Sequence, residues 1–450
     1  MHKTKDIIVI GGGWAGLSSA VRLKQQGWAV QLYESSRQLG GRARCSQYKN
    51  FTLDNGQHIL LGSCIEVFSL FKLLNINEQQ YLQRQTLNLD LLYANKNIDR
   101  RGAKNLPQGL HIQPYNIRAP LHLLMGFLTA QGFSFKEKFF LIKFFVLLKL
   151  NHYQLKKDQN LLNILQKNHQ STVLIQKLWE PLCLSIMNTP IQTASAQIFF
   201  NVLRLSFDGK KEHSDLVLFS TPLCKSLAQH ASQYLQSSPQ PHQQLHLNSK
   251  ITAIEVKNNT IIGVRAKHQF IPCSRLILAT APHASLKLLT PLSQCQKLVK
   301  TLKKIDYQAI YTVYLYYQEK FKLEQDMTGI LNAYSQWVFD KSFTQQHGLL
   351  AIIISGPGKH QQISKDELVI EVNKELQALF SLPELDWGIV VVENKATINC
   401  TVENNQHRPS NSSPIKGLYL AGDYTDTGYP STLEGAVKSG RKAAELVINN

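Results

Sequence analysis

Three glycines and one acid near the N-terminus carry the strongest chemical signal in the sequence. Gly11, Gly13 and Gly16 follow the pattern Gly-x-Gly-x-x-Gly, and Glu34 stands further along. The first glycine permits a tight turn, the second lets backbone approach a pyrophosphate, and the third lets a helix pack closely on a strand. An acid placed like Glu34 accepts hydrogen bonds from ribose hydroxyls. The spacing therefore predicts a dinucleotide site, whose pyrophosphate contacts also include Trp14 and Ala15.

The segments around these residues have the order that such a site needs. Asp6 to Ile10 is an apolar, β-branched run typical of a strand buried on both faces. Leu17 to Gln26 then predicts a helix, and Trp28 to Tyr33 predicts a second strand that ends on the acid. The helix N-terminus offers free N–H groups and the positive end of a dipole to phosphates. The fold class is therefore α/β with a Rossmann-like domain, and the pattern leaves NAD and FAD both open.

The next motif distinguishes between these cofactors. Residues 39–44, Leu-Gly-Gly-Arg-Ala-Arg, resemble the second fingerprint of the FAD-containing amine oxidase and carotenoid desaturase superfamily. The resemblance implies FAD, with Gly40, Gly41 and Arg42 supporting its pyrophosphate and ribityl side. It also implies an FAD-binding domain of the glutathione reductase/amine oxidase type. Taken alone, Arg42 could equally be a solvated surface cation.

A third segment matches the same superfamily. Its Asp-x-Gly element, whose backbone lies beside the flavin ring, is matched by Asp54 and Gly56, followed by Gln57 and His58. The resemblance implies that Gly56, Gln57 and His58 contact the cofactor. Asp54 could instead form a turn with its own backbone, and His58 could be a hydrogen-bonded core histidine.

The C-terminal segment, residues 417–436, predicts a strand, a loop and a helix. Ser431 and Glu434 have the S-x-x-E spacing of a capping box, so the helix is predicted to begin at Ser431. In the superfamily this helix end faces the flavin pyrimidine, where its dipole stabilises the negative charge gained on reduction. The implied cofactor contacts here are Gly422, Asp423, Ser431, Thr432 and Leu433, with Asp423 as partner of the ribityl or phosphate groups.

A middle segment is expected to return to the cofactor domain. Residues 245–256 and 261–264 predict a hairpin, and Ile251 is the predicted backbone contact for adenine. The FAD-binding domain is then discontinuous, made of residues 1–80, 205–285 and 385–450. An interleaved α+β substrate domain takes residues 81–204 and 286–384.

Composition limits the partners. The 49 basic and 31 acidic residues give a net charge of +18, which favours an anionic membrane surface or a phosphorylated substrate. The basic residues are scattered, with no RNA-binding or zinc-ligand spacing, so neither nucleic acid nor metal is expected. Seven widely spaced cysteines without C-x-x-C predict reduced thiols in a cytoplasmic protein. There is no signal peptide pattern and no apolar run long enough to span a bilayer.

One apolar stretch has two interpretations. Residues 139–150 contain ten apolar residues and two lysines, too short a run to span a membrane. The segment is either a core helix of the substrate domain or a helix facing a membrane or a substrate tunnel. In the second case the protein is peripheral on the inner face of the cytoplasmic membrane, and lysines reach lipid phosphates: Lys136, Lys138, Lys143 and Lys149.

A group of motifs in the middle of the chain narrows the resemblance. These are Trp-Glu-Pro-Leu-Cys at 179–183, Asn-Thr-Pro at 188–190, Ala-Ser-Ala-Gln at 194–197 and Ala-Pro-Leu-His-Leu-Leu at 119–124. Together they resemble the squalene-associated flavoprotein family, the hydroxysqualene dehydroxylases of bacterial squalene and hopanoid synthesis. By themselves these residues predict only helix ends and packing points.

The resemblance implies an enzyme that reductively removes the hydroxyl group of hydroxysqualene. It implies a long apolar isoprenoid substrate, upstream squalene-pathway enzymes as partners, and NADPH or a partner protein as the source of electrons. Asp426 and Tyr429, beside the expected flavin face, are the candidate catalytic residues. The alternatives are a phytoene-type carotenoid desaturase, a flavin amine oxidase and a non-catalytic lipid-binding flavoprotein.

Overall fold

The computed structural model describes residues 5–94, 109–237, 245–267, 269–319 and 321–450. The strands in these ranges are β1 (Asp6–Ile10), β2 (Ala29–Tyr33), β3 (Cys45–Tyr48), β4 (Phe51–Asp54), β5 (Ile59–Leu61), β6 (Leu82–Gln85), β7 (Leu89–Tyr93), β8 (Leu110–Ile112), β9 (Leu216–Phe219), β10 (Leu245–His246), β11 (Ile251–Lys257), β12 (Thr260–Ala266), β13 (Gln269–Pro272), β14 (Leu276–Leu278), β15 (Tyr307–Tyr316), β16 (Met327–Leu331), β17 (Trp337–Asp340), β18 (Leu349–Ser355), β19 (Trp387–Ile398) and β20 (Leu418–Leu420). The helices are α1 (Trp14–Gln25), α2 (Ile65–Leu73), α3 (Glu78–Tyr81), α4 (Leu121–Thr129), α5 (Phe135–Leu150), α6 (Leu161–Lys167), α7 (Thr172–Leu174), α8 (Glu180–Met187), α9 (Ala196–Phe207), α10 (Leu227–Gln236), α11 (Pro282–Leu289), α12 (Gln296–Lys303), α13 (Lys365–Leu379), α14 (Val402–Gln406) and α15 (Leu433–Asn449).

A parallel sheet of order β10-β2-β1-β14-β20 gathers strands from three distant parts of the chain. Residues alternate across β1: Ile7 and Val9 pack against α1, α10 and α15, whereas Ile8 and Ile10 pack against the β11-β12-β13 sheet. Both faces of the sheet are therefore buried, as the apolar run predicted. The predicted Rossmann-like α/β class is confirmed, and the strands of this sheet come from the N-terminal, middle and C-terminal parts of the chain.

The two ends of the chain pack directly against each other. A Cβ placed on Gly440 of α15 would lie 2.2 Å from the carbonyl oxygen of Ala15 in α1. Ser18 of α1 donates a hydrogen bond of 2.9 Å to the carbonyl of Val437. The close contact between α1 and α15 therefore requires glycine at position 440.

A second, seven-stranded sheet has the order β19-β15-β18-β17-β16-β7-β8. Its pairs are antiparallel except β16 with β7, which is parallel. One face packs on helices between α4 and α9, and the other packs on α13. Strand β18 is buried at every residue.

The packing shifts two of the predicted domain boundaries. Strand β19 lies within the predicted FAD-binding piece 385–450, but it pairs along β15 in the seven-stranded sheet. Helices α11 and α12 lie mostly in the predicted substrate piece 286–384, but Leu288 and Val299 pack with β11 and β14 beside the parallel sheet. Sequence periodicity identifies these elements without indicating which sheet they join.

The motif residues of the middle segment are packing points and helix ends. Trp179 is fully buried, and its indole N–H donates to the side-chain oxygen of Gln170. Asn188 ends α8 in the left-handed region, with φ of 49°, and its amide joins the carbonyl of Ala309 to the N–H of Gly356. Ser195 caps α9 by accepting from the backbone N–H at 198.

The prediction of seven reduced cysteines is wrong for one pair. Cys45, at the start of β3, and Cys224, after β9, form a disulfide across a sequence separation of 179 residues. Cysteines this far apart give no sequence signal of their convergence, because the fold alone brings β3 beside the turn before α10. The other five are free thiols.

Residues 139–150 lie in helix α5, which has one face in the core and one face exposed to solvent. Leu141, Phe144 and Leu148 are buried in the core shared with the seven-stranded sheet. The opposite face is exposed, with Phe139 at 61% and Val146 at 51% of full accessibility. Among the described residues no helix combines the length and the apolar character that a bilayer crossing requires.

Candidate functional site

The first glycine turn has the geometry that its spacing predicted. Gly11 has φ of +107°, and its N–H donates to the carbonyl of Tyr33 at 2.8 Å. A Cβ on Gly16 would lie 1.9 Å from the carbonyl oxygen of Gly11, so α1 can approach the turn only with glycine there. The predicted roles of Gly11 and Gly16 in the turn and in helix packing are thus visible in the backbone.

The two glycine motifs meet and form one strip of bare backbone. The N–H of Gly40 donates to the carbonyl of Gly12 at 2.8 Å, and a Cβ on Gly41 would lie 3.1 Å from Cα of Gly13. Gly13 is the N-cap of α1, and no side chain caps that helix end. The first-turn N–H groups of α1 therefore face a surface without side chains, which suits an anion such as pyrophosphate.

Trp14 contributes to this site through its backbone. Its side chain is 3% exposed and packs on the rings of Phe71 and Phe219, at centroid distances of 6.4 and 6.3 Å. The indole is therefore part of the core between α1, α2 and β9. Only the N–H groups of Trp14 and Ala15 are left to contact a cofactor.

The carboxylate of Glu34 is oriented by backbone groups at the end of β2. It accepts hydrogen bonds from the N–H of Gly12 at 2.6 Å and from the N–H of Ser36 at 2.8 Å. The carbonyl of Glu34 accepts from the N–H of Ser249, two residues before Ile251. The structure thus brings the predicted ribose-binding acid and the predicted adenine-binding strand to the same edge of the sheet.

An ion pair between half-buried Arg42 and buried Asp423 joins the second fingerprint to the C-terminal loop. Arg42 contacts a carboxylate oxygen of Asp423 at 2.6 Å, and the other oxygen accepts from the hydroxyl of Ser431. Burial alone would raise the pKa of Asp423, but Arg42, Ser431 and Arg408 together hold it below its ordinary value. Asp423 is therefore ionised at neutral pH, and each of its carboxylate oxygens has a partner.

Arg408 is a residue of this network that the sequence did not reveal. Its guanidinium is buried and donates to the carbonyls of Asp423 and Tyr429. It braces the loop that precedes α15 from within. Arg408 lies outside any recognisable sequence motif. Only its burial in the structure shows that it belongs to the site.

The predicted capping box at Ser431 and Glu434 is wrong. Helix α15 begins at Leu433, and its N-cap is Thr432, which accepts from the N–H of Gly435. The hydroxyl of Ser431 is used by Asp423, and the carboxylate of Glu434 accepts from the N–H groups of Glu66 and Val67 in α2. Glu434 thus caps a different helix, because α2 offers two N–H groups beside it.

Asp54 takes part in a buried polar cluster. Its carboxylate accepts from the N–H of Leu223 at 2.9 Å and lies 3.8 Å from the ammonium of Lys341, which donates to Gln57 at 2.8 Å. The hydroxyl of Tyr314 donates to the carbonyl of Asp54. Burial raises the pKa of Asp54 and lowers the pKa of Lys341. The side chain of Asp54 therefore connects β4 to the seven-stranded sheet, and Lys341 is a second residue without a sequence signal.

His58 lies next to this cluster and is neutral at physiological pH. Burial, with a further contribution from the charge of Arg42, lowers the pKa of His58 to about 4. A neutral imidazole can accept or donate one hydrogen bond without adding charge. The space beside Gly56 is empty of protein atoms: the nearest atom to a Cβ placed there would be the hydroxyl oxygen of Thr312, at 4.0 Å.

A family model for flavin-containing amine oxidoreductases matches residues 14–448. This range includes the second glycine turn, the Arg42–Asp423 pair and the loop before α15. The chain belongs to this family. It is a flavin-dependent oxidoreductase.

Relatives within the superfamily align over nearly the whole chain. Hydroxysqualene dehydroxylase from Zymomonas mobilis subsp. mobilis is 25% identical over 98% of this chain and 99% of its own length. The hydroxysqualene dehydroxylase of Rhodopseudomonas palustris is 24% identical over 99% of each chain. Zeta-carotene desaturase from Solanum lycopersicum is 21% identical over 98% of this chain and 81% of its own length.

Solved structures share the fold. An oxidoreductase from Methanosarcina mazei aligns with a TM-score of 0.71, 14% identity, and coverage of 98% of this chain and 100% of its own. A triple mutant of putrescine oxidase aligns with a TM-score of 0.73, 14% identity, and coverage of 99% of each chain. At this identity the likeness is one of architecture.

The residues of this site fit the FAD that the family implies. The facing glycines and the uncapped end of α1 form a cradle that an added Cβ would begin to fill. Glu34 would offer its carboxylate to ribose hydroxyls, and Arg42, which already donates to Asp423 and to the carbonyl of Ala396, would add positive charge beside the phosphates. Among the described residues no cluster of ligating side chains could hold a metal ion.

The two predicted catalytic residues have different environments. Tyr429 is 8% exposed and lines a cavity of about 320 Å³ with Ile65, Arg204, Glu434 and other residues of α2, α9 and α15. Asp426 is exposed, and its carbonyl accepts from the ammonium of Lys442. An acid acting in a water-excluding site needs burial, which Asp426 lacks and Tyr429 has.

Glycine substitutions should separate folding from cofactor binding. Gly16→Ala should prevent stable folding, because its Cβ would overlap the carbonyl of Gly11. Gly13→Ala should fold, since its Cβ would lie 3.9 Å from the nearest protein atom, Cα of Gly41. It should nevertheless bind FAD about tenfold more weakly or worse, because the methyl group would meet the pyrophosphate. Thermal unfolding and flavin absorbance after reconstitution measure the two effects. A Gly13→Ala protein that binds FAD like the wild type would contradict the cradle.

Breaking the Arg42–Asp423 pair should destabilise the fold. Arg42→Met removes the ion-pair partner of a buried carboxylate and should cost up to about 3 kcal/mol, since Ser431 still donates to it, and the double variant with Asp423→Asn should recover part of this. The pKa of Asp423 is lowered in the folded state, so its contribution is present above about pH 4 and is lost as pH falls further. Urea unfolding measures both effects. Lys374→Met, which removes the exposed pair with Glu371, is the control and should cost less than about 1 kcal/mol.

Glu434 should make the protein less stable at alkaline pH. Burial raises its pKa to about 7, so the folded state holds this proton more tightly than the unfolded chain does. Stability is therefore lost as pH rises from about 4.5 to above 7, by about 3 kcal/mol, and Glu434→Gln should abolish this slope. Unfolding curves at several pH values test this, with Glu445→Gln, an exposed change on the same helix, as the control. Parallel wild-type and Glu434→Gln profiles would contradict the assignment.

Proposed function

We propose that this protein removes the hydroxyl group of hydroxysqualene reductively and releases squalene. The observation that carries the proposal is similarity along both full lengths: proteins named hydroxysqualene dehydroxylase match over 98–99% of this chain and 99% of theirs. The desaturase from Solanum lycopersicum is less similar, and 81% of its length is covered. The shared length supports a shared reaction more directly than the shared fold does.

The reaction balances with one proton and one hydride. The C–O bond breaks, the hydroxyl group takes up a proton and leaves as water, and a hydride takes its place on carbon. The reduced flavin supplies the hydride when bound. NADPH is the proposed source of its two electrons, with a partner protein as the alternative.

The residues proposed to hold FAD come from both ends of the chain. Backbone at Gly13 and Gly41 would receive the pyrophosphate, Glu34 the ribose, and Arg42 and Asp423 the phosphate and ribityl groups. Further backbone contacts are proposed at Gly11, Trp14, Ala15, Gly16, Gly40, Gly56, Gln57, His58, Ile251, Gly422, Ser431, Thr432 and Leu433. The N-terminus of α15 would supply a positive dipole end.

Tyr429 is proposed to donate a hydrogen bond to the departing oxygen. Burial, reinforced by the negative charges of Glu434 and other acids, raises the pKa of Tyr429, so its hydroxyl stays protonated at neutral pH. Glu434 lines the same cavity, and with a pKa of about 7 it keeps a proton available near neutrality. Exposed Asp426, in contrast, has no proposed role in proton transfer.

The substrate is a long apolar chain and needs apolar walls. Half-buried Ile310, Ile389 and Val391 lie on the side of the seven-stranded sheet that joins the large apolar core. Walls of this kind exclude water from the carbon that loses its hydroxyl group. Enzymes that make hydroxysqualene are the proposed upstream partners, and the inner face of the cytoplasmic membrane is the proposed location.

A carotenoid desaturase is the second candidate, because carotenoid desaturases also match nearly all of this chain. That reaction removes hydrogen from a polyene precursor and runs the redox chemistry in the opposite direction. The same apolar walls would serve it.

Product analysis should decide between these reactions. FAD-loaded protein, reduced and incubated with hydroxysqualene, should yield squalene, whereas phytoene should remain unchanged. Tyr429→Phe should lower turnover by about a hundredfold or more through loss of the proton-bearing hydroxyl. Asp426→Asn is the matched control on the same loop and should retain wild-type turnover.

Two outcomes would contradict the proposal. Desaturated phytoene without squalene formation would favour the second candidate. Equal turnover in Tyr429→Phe and the wild type would remove Tyr429 from the mechanism while leaving the reaction itself in place.

A further inference from the structure

Helix α5 carries an apolar row on its outward face. Phe135, Phe139, Val146 and Leu150 are 91%, 61%, 51% and 71% exposed. Their spacings of four, seven and four residues place them on one side of the helix, opposite the buried row. Large apolar side chains in a continuous exposed row mark an interaction surface rather than ordinary surface scatter.

Helix α4, which packs beside α5, also exposes apolar side chains. Leu121 and Leu128 of α4 are 52% and 44% exposed and lie seven residues apart, on one face of the helix. Helices α4 and α5 pack together through the stacked rings of Phe127 and Phe145, 5.0 Å apart. Two further exposed apolar residues precede α4, Tyr115 and Ile117.

Contacts with one loop tie these parts together. Lys149, near the end of α5, forms an ion pair of 2.7 Å with Asp208. Lys211, three residues after Asp208, donates through its ammonium group to the side chain of Asn116. The segment before α4 and the end of α5 therefore meet at the loop after α9. Residues 115–118 with α4 and α5 are called the α4–α5 surface below.

The charge of the α4–α5 surface is positive. Lys136 and Lys143 are exposed, and Lys138 lies over the ring of Phe135 with 5.8 Å between the ammonium and the ring centroid. Within the described part of the chain, none of these three lysines forms an ion pair. The acid of the same helix, Glu137, is held by the capping box with Ser134 and accepts from the hydroxyl of Ser171.

We propose that the α4–α5 surface docks on an anionic phospholipid bilayer. The phenylalanines and leucines enter the boundary between headgroups and acyl chains, and the lysines reach the lipid phosphates. Lysines interleaved with exposed aromatic rings are complementary to a bilayer, whose acyl chains are apolar and whose headgroups are anionic. The net charge of +18 adds long-range attraction. This inference goes beyond the proposed reaction and does not depend on the identity of the substrate.

A second copy of this chain is a poorer occupant. Two α4–α5 surfaces facing each other would bring like-charged lysines together, which disfavours association. A bilayer offers apolar depth and negative charge at once. Charge complementarity therefore favours the bilayer.

Vesicle flotation tests the docking. The full chain should float with vesicles of phosphatidylglycerol and phosphatidylcholine at low salt, float less at high salt, and stay unbound with phosphatidylcholine alone. Lys136→Glu with Lys143→Glu should weaken binding more than about tenfold, and Phe135→Ser with Phe139→Ser should do the same by removing the inserted rings.

Matched controls lie on other faces. Lys297→Glu with Lys300→Glu changes two exposed lysines of α12, and Ile370→Ser changes an exposed apolar residue of α13. Both controls should bind anionic vesicles like the wild type. All substituted residues are exposed, so circular dichroism and thermal unfolding should show intact folds.

Three outcomes would overturn the proposal. The first is no flotation with anionic vesicles at low salt. The second is equal loss in the α5 and α12 lysine variants, which would assign binding to the overall charge. The third is a wild-type dimer in light scattering that Phe135→Ser with Phe139→Ser converts to monomer while vesicle binding is unchanged. That result would assign the surface to a second copy.

Discussion

The ion pair between Arg42 and Asp423 is the constraint on which the site depends. One partner belongs to the second glycine turn and the other to the loop before α15, nearly 400 residues later. Because the contact is 2.6 Å and the carboxylate is buried, the two segments have little freedom to move apart. The pair thus holds together the two halves of a site for an elongated cofactor.

This arrangement explains why polar groups concentrate around the C-terminal loop. Asp423 accepts from Ser431, Arg408 braces the carbonyls at 423 and 429, and Ser439 of α15 accepts from the N–H of Gly422. These hydrogen bonds matter because a buried polar group left without a partner costs about 1–3 kcal/mol. A loop held by them can stay ordered before any cofactor arrives, which reduces the entropy cost of binding.

The sequence predicted the parts of this site that depend on local geometry. Gly11 and Gly16 were identifiable because a positive φ and a close helix approach exclude side chains at those positions. Arg408 and Lys341 were not identifiable, because their role comes from burial beside partners that are distant in sequence. The capping box failed for a related reason: Glu434 had a nearer use at the end of α2, and local spacing carries no information about α2. Strand β19 was assigned to the FAD-binding piece because its sequence does not reveal which sheet it joins.

Helix α5 shows how one sequence pattern can serve two environments. A run that is apolar nearly all round predicts burial, and Leu141, Phe144 and Leu148 do lie in the core, with Phe145 packed against it. The apolar row on the outward face of the helix stays largely exposed. Retaining Phe135 and Phe139 in water favours aggregation unless something apolar covers them. The lysines between them keep the face soluble, and in the proposed docking the same lysines favour an anionic surface.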